Sequence, residues 1–102
     1  VQNERDLPFL EPDLVRSMFS SGGAWARASG GRVRQRRKDL GLTLQRLADL
    51  SGTTVATVQR VESGALIPRE HLKASIAYSL VLDVSQIWTY PSRQDLALAA
   101  AS

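Results

Sequence analysis

The stretch TLQRLADLSGTTVATVQRVESG, residues 43–64, restricts this chain to few folds. It reads as two short helices separated by a tight break at Ser51-Gly52-Thr53. The first helix is expected over residues 43–51, with Thr43 as its N-cap. The second is expected over Val55–Ser63, capped by Thr54 and stopped by Gly64. Two helices joined by a short turn containing Gly form a helix-turn-helix unit, whose second helix fits the DNA major groove.

The rest of the composition narrows the possibilities. At 102 residues the chain is expected to form one domain with short extensions and a small core. Without cysteine it has no disulfide framework, thiol nucleophile or Cys-based metal site. His71 is the single histidine, which argues against a zinc centre or His-dependent catalysis. No phosphate-binding Gly loop, nucleophile–base set or paired carboxylates stand out, so an enzyme, a cofactor, a metal and a small-molecule ligand are not expected. The start, VQNERDLPFLEPD, is acidic and lacks the pattern of a signal peptide. The longest apolar run is far short of the ~20 residues that span a bilayer. The expectation is a soluble, cytoplasmic protein with no membrane partner.

The net charge of +3 hides an asymmetry. Residues 1–23 carry a net −2 and the remainder +5. Residues 24–38 hold six basic residues and no acidic one. A basic block beside a helix-turn-helix is the electrostatic footprint of phosphate contact, although a solvated helix face has the same composition. Arg outnumbers Lys 11 to 2, which suits bidentate phosphate and guanine contacts and equally suits a GC-rich genome.

Along the chain, Pro8 and Pro12 oppose helix before residue 12. Residues 13–19 can form a short helix with Leu14, Val15, Met18 and Phe19 as its apolar stripe, and residues 20–23 a turn. A longer helix is expected over residues 28–40, ended by Gly41; a start near Ala24 is opposed by Gly30-Gly31. After a loop over residues 65–67, Pro68 suits the first turn of a helix reaching about Leu82, with Leu72, Ile76, Ala77 and Leu80 on one face. Asp83 or Ser85 caps a last short helix holding Ile87, Trp88 and Tyr90, and Pro91 ends it. No segment alternates with period two, so the protein is expected to be all-α. The division is residues 1–27 as an N-terminal arm and short helix, 28–90 as the DNA-binding domain and 91–102 as a tail.

Residues 32–88 resemble the Cro/cI-type, or xenobiotic-response-element, helix-turn-helix family. The resemblance rests on Arg37, Gly41-Leu42-Thr43, Leu47-Ala48, Gly52-Thr53-Thr54, Val58, Val61, Glu62, Gly64, Pro68, Ala77 and Leu80 at matching spacing. It implies a five-helix Cro/cI-repressor-like DNA-binding bundle, here with an extra short N-terminal helix, that binds an operator, usually as a dimer. Temperate-phage immunity repressors are similar. Arg37 and Glu62 match a structural ion pair of the family. Three positions depart from the pattern: Leu44 stands where Gln is usual, Val81 where Gly is common, and Ser63 in place of Asn. Gln45 can take over the contact of the missing Gln, or Leu44 can simply pack.

Leu47, Val58 and Val61 are expected to bury against Val33, Leu40, Ile76 and Leu80, with Ala48 at the crossing of the two motif helices. That turns Val55, Ala56, Gln59, Arg60 and Ser63 outward. Val55 and Ala56 occupy the family's main base-reading positions and, being apolar, can touch only thymine methyls or base edges. Gln59 suits adenine N6/N7 and Arg60 guanine O6/N7; the plainer alternative for both is a solvated face or phosphate contact. Phosphate contacts are expected from Thr43, Gln45, Arg46, Thr53, Thr54, Thr57 and Ser63, with Arg32, Arg34 and Arg36 reaching flanking phosphates. Thr43 and Thr54 serve as N-caps in any case.

The leading function is a sequence-specific double-stranded DNA-binding transcriptional repressor. The other is a protein-partner-binding module, the antitoxin or another such module of a toxin–antitoxin pair that also autoregulates, with the N-terminal segment holding the toxin; a neighbouring toxin gene marks that case. Apolar residues in 7–19 and at Ile87, Trp88 and Tyr90 can cover one another or form a homodimer surface. The basic stretch 25–32 can alternatively act as an arm in the minor groove. The Ala-rich end LALAAAS is expected to fray; it also resembles protease-recognition tails.

Overall fold

Six helices and no strand make up the described part of the computed structural model, which covers residues 12–90 and residue 94. They are α1 (Pro12–Met18), α2 (Ala24–Asp39), α3 (Leu44–Ser51), α4 (Val55–Ser63), α5 (Glu70–Ser79) and α6 (Val84–Ile87). The all-α bundle with an extra short N-terminal helix is therefore as expected. The arm before residue 12, the side chains of Leu14 and Val15, and the tail from residue 91 on, residue 94 apart, lie outside the described residues. No helix among the described residues is long and apolar enough to cross a membrane.

The core lies between α2, α3, α4 and α5, closed at one end by α6. Val33, Leu47, Ala48, Val58, Ile76, Leu80 and Ile87 are completely buried, with Val61, Ala77 and Trp88 nearly so. Each large aliphatic side chain buried this way stabilises the fold by about 1.5–3 kcal/mol. Ala48 sits at zero exposure where α3 meets its neighbours, so any larger side chain there would have to push helices apart. Leu40, expected in this core, is instead 39% exposed, because it falls beyond the last helical residue of α2 and turns outward as the C-cap.

Helices α2, α5 and α6 differ in their bounds from the sequence expectation. Helix α2 begins at Ala24 rather than at residue 28, so Ala24–Arg27 belong to the helix, not to the N-terminal arm, and residues 25–32 cannot be a minor-groove arm. Two glycines in mid-helix argued against this start; the packing of Gly30 described below outweighs their helix propensity. Helix α5 begins at Glu70, leaving Pro68 in the loop and Arg69 as N-cap, and it ends at Ser79 rather than near Leu82. The reason is Val81, which takes φ +57 and so ends the helix by the left-handed turn that a Gly would make. Tyr90 lies beyond α6, whose last residue is Ile87.

Candidate nucleic-acid interface

The candidate recognition helix, α4, is fixed by its two ends and one buried stripe. At its start the Thr54 Oγ1 accepts the Thr57 N–H at 3.2 Å, satisfying one of the unpaired donors of a helix N-terminus. Its hydroxyl also meets that of Thr57 at 3.0 Å. At its end Gly64 adopts φ +83 and closes the helix. Between them Val58 and Val61 are buried in the core, which forces the opposite face outward. Ala56, Gln59, Arg60 and Ser63 are exposed on that face, and Val55 is half-buried against the edge of the core. Among the described residues, the side chains of Gln59 and Arg60 make no intramolecular hydrogen bond.

Helix α3 is set against α4 by a turn with equally local causes. The Thr43 Oγ1 accepts the Arg46 N–H at 3.0 Å and starts α3. Gly52, at φ +70, ends it, and the Thr53 N–H returns to the Ala48 carbonyl at 2.9 Å. Thr43, Gln45 and Arg46 are all exposed at the first turn of α3, whereas Thr53 and Thr57 are half-buried. The Gln45 side chain donates to Asp49 at 2.8 Å. Leu44 packs, half-buried, against the core. The Ser63 hydroxyl donates to the Arg60 carbonyl at 3.1 Å.

Helix α2 holds α4 in place by close backbone contact and by one ion pair. A β-carbon on Gly30 would collide with the Val61 carbonyl oxygen and lie 2.5 Å from that of Glu62. A β-carbon on Gly64 would lie 2.7 Å from the backbone of Arg27. Two turns along α2 from Gly30, the Arg37 guanidinium donates to both carboxylate oxygens of Glu62, at 2.7 and 3.1 Å, and to the Leu42 carbonyl at 2.9 Å. About nine-tenths of each side chain in this pair is buried. The hydrogen bond to Glu62 raises the Arg37 pKa above its ordinary value; burial opposes this, and the Glu62 charge adds to it. The pair stands where the family resemblance places it.

The basic block of α2 divides by what its arginines touch. Arg32 donates to the Ile87 carbonyl at 2.7 Å and Arg36 to the Leu80 carbonyl at 2.9 Å, placing cations at the C-terminal ends of α6 and α5. Both therefore point toward the α5–α6 side of the bundle. Arg34 instead is exposed and, with Leu44, Gln59 and Ser63, lines an open cleft of about 260 Å³ above the Arg37–Glu62 pair. The structure thus brings Arg34 to the recognition helix and leaves Arg32 and Arg36 away from it.

The extensions fold back on the bundle: Phe19 lies against Tyr90 at 6.0 Å, so of the two alternatives that the sequence offered for these apolar residues, covering one another is the one found here. The Gly22 N–H donates to the Gly64 carbonyl at 2.7 Å, tying the turn before α2 to the end of α4. Arg27 donates to the Gly22 carbonyl from the other side. The Trp25 indole N–H donates to the Thr89 carbonyl at 2.8 Å, and its ring stacks on Tyr90 at 4.8 Å and meets Phe19 edge-on at 5.5 Å. Lys73, 4% exposed, lies 5.6–6.0 Å from the rings of Trp25, Trp88 and Tyr90 and pairs with Glu70 at 3.3 Å. Ile87 and Trp88, offered by the sequence as part of a homodimer surface, are therefore interior to the single chain.

Comparison with known proteins agrees with this geometry. Residues 29–78 match the family model described as a helix-turn-helix domain. A solved structure of the clp gene regulator ClgR from Corynebacterium glutamicum is 28% identical, with a TM-score of 0.60 over 76% of this chain and 81% of that chain. A second structure of the same regulator is 24% identical, with a TM-score of 0.58 over 76% of this chain and 94% of the other, and shares the fold. No curated protein matches the chain in sequence.

Proposed function

We propose, from the premise that residues 29–78 belong to the helix-turn-helix domain family, that this chain binds a specific double-stranded DNA operator and regulates transcription from it. One observation carries the reading. The outward face of α4 presents Ala56, Gln59 and Arg60, exposed on a helix whose other face is locked in the core by Val58 and Val61. A helix rigidly mounted with unpaired polar side chains facing out is what major-groove reading requires. The likeness to a clp gene regulator supports transcription as the process served.

In this reading Val55, Ala56, Gln59 and Arg60 meet base edges. Thr43, Gln45, Arg46, Thr53, Thr54, Thr57 and Ser63 position the helix on phosphates, together with Arg34 across the cleft. Arg69 joins them: it is exposed, follows the loop that leaves α4, and makes no side-chain hydrogen bond among the described residues. Arg32 and Arg36 support the fold instead. The protein acts as a repressor, by occupying DNA that polymerase needs, in the manner of phage immunity repressors. A homodimer would place two α4 helices about 34–36 Å apart on one side of the duplex. Its surface then excludes Ile87 and Trp88.

Selection from a library of randomised duplexes tests the reading. Recovery of one enriched sequence motif is expected. A library that returns from repeated selection without enrichment overturns sequence-specific binding.

A further inference from the structure

We propose that one face of α2, formed by Arg27, Gly31, Arg34 and Lys38, is a second DNA-binding surface, which holds the phosphodiester backbone of the duplex flanking the operator motif. The proposal rests on the DNA-reading role of α4 given above and extends the partner beyond the bases that α4 meets.

The four residues recur at alternating steps of four and three, which puts them on one side of the helix, and all four are exposed. From Arg27 to Lys38 the helix rises about 16 Å, the length of about five base pairs. Among the described residues, no acid pairs with any of the three cations. Arg27 donates to the Gly22 carbonyl, which leaves its charge unneutralised. Glu62, which shares the cleft with Arg34, is taken by Arg37. Asp39, the acid of α2, accepts from Gln35 at 2.8 Å on the adjoining face.

Gly31 gives the strip its shape. Glycine inside a helix lowers helix stability relative to alanine. Close packing on α4 requires it at Gly30, but a β-carbon at Gly31 would meet nothing within 4 Å. Nor is Gly31 among the glycines with positive φ. What the missing side chain provides is room: a phosphate can come against the helix itself, with a guanidinium group on either side of it. The strip is also continuous with the reading face. Arg34 lines its cleft with Gln59 and Ser63 of α4, and the backbone of Arg27 lies against Gly64 at the end of that helix. A duplex seated on α4 has its backbone beside this side of α2, and unpaired arginines match phosphates in sign and in donor geometry.

Duplex length and charge reversal test this together. The probes are the duplex enriched from the randomised library, either cut to the enriched motif or extended at each end by about one helical turn of arbitrary sequence. Wild type is expected to bind the longer duplex with a steeper salt dependence, by about 0.9 in log–log slope for each flanking phosphate held. Gly31→Glu sets a carboxylate between Arg27 and Arg34 and is expected to lose most of that increment; Lys38→Ala is expected to lose about 0.9 of it. Ala74→Glu makes the same change of net charge at an exposed position on α5 and is expected to keep the increment. The preference for the enriched duplex over a scrambled one of equal length reads α4 separately. An increment absent from wild type overturns the proposal and leaves operator reading by α4 standing. An increment that survives in both Gly31→Glu and Lys38→Ala, or that falls equally in Ala74→Glu, also overturns it, by assigning the gain to duplex ends or to net charge. Melting curves establish that each variant is folded, and if Gly31→Glu does not fold, Lys38→Ala decides. A library without enrichment overturns the proposal together with the DNA-reading role on which it rests.

Discussion

Gly30 of α2 lies directly against the Val61 carbonyl of α4, so close that no β-carbon fits between the two helices. The next residue, Gly31, faces open space. One glycine of the pair is thus required by packing and the other is not. The required one sets how near the helix that supports the bundle comes to the helix that faces outward.

Alanine substitution separates them. Gly30→Ala must displace α2 from α4 and is expected to destabilise the protein by about 1–3 kcal/mol despite the better helix propensity of Ala. Gly31→Ala gains the propensity without a clash and is expected to stabilise by about 0.5–1 kcal/mol. Urea unfolding of both variants checks this, and shifts of the same sign would contradict the packing described.

Arg37 and Glu62 form a bidentate pair with little access to water. Removing one partner strands the other charge, so Glu62→Ala is expected to cost about 3–5 kcal/mol. Replacing both residues with apolar ones of similar size should recover much of that loss. A double-mutant cycle measured by unfolding gives the coupling, and a coupling near zero would mean that the pair does not hold α2 to α4.

Val81 is a β-branched residue at φ +57, 75% exposed. Left-handed backbone in such a residue costs about 1–3 kcal/mol. Val81→Gly removes that strain at some cost in chain entropy, for a net gain expected near 1 kcal/mol. The melting temperature should rise with DNA affinity unchanged; a lower melting temperature would show that the turn is not strained.

Arg34 and Arg36 differ by two residues and face different surroundings. Arg34 lines the cleft beside Gln59, while Arg36 is bound to the Leu80 carbonyl. Arg34→Ala is expected to lower the salt dependence of DNA binding by about 0.9 in log–log slope, the loss of one phosphate contact. Arg36→Ala should lower stability and leave the slope intact. Titrations over a range of salt concentrations, with melting curves alongside, decide between this division and its reverse.

The parts legible in the sequence were those with local causes. Thr43 and Thr54 cap helices through contacts three residues away, and Gly52 and Gly64 stop them, so α3 and α4 were expected at their observed bounds. Val58 and Val61 then fixed which face of α4 turns out. What sequence reasoning missed depends on partners far along the chain. The Gly30-Gly31 pair reads as a helix breaker until the approach of Val61 and Glu62 is known. The arginines of α2 look alike until Arg32 and Arg36 are seen to reach the Ile87 and Leu80 carbonyls. Nothing near Lys73 in sequence signals burial; the rings around it come from Trp25, Trp88 and Tyr90.

The most direct test of the central claim is a salt-dependent titration of wild type and Arg60→Ala against the selected duplex and a scrambled one. Wild type is expected to prefer the selected duplex by ~10³-fold or more. Arg60→Ala should remove about 1–3 kcal/mol of that discrimination by losing a bidentate guanine contact. Equal, steeply salt-dependent binding of both duplexes by wild type, unchanged in Arg60→Ala, would contradict base reading by α4 and reduce the interaction to phosphate contact.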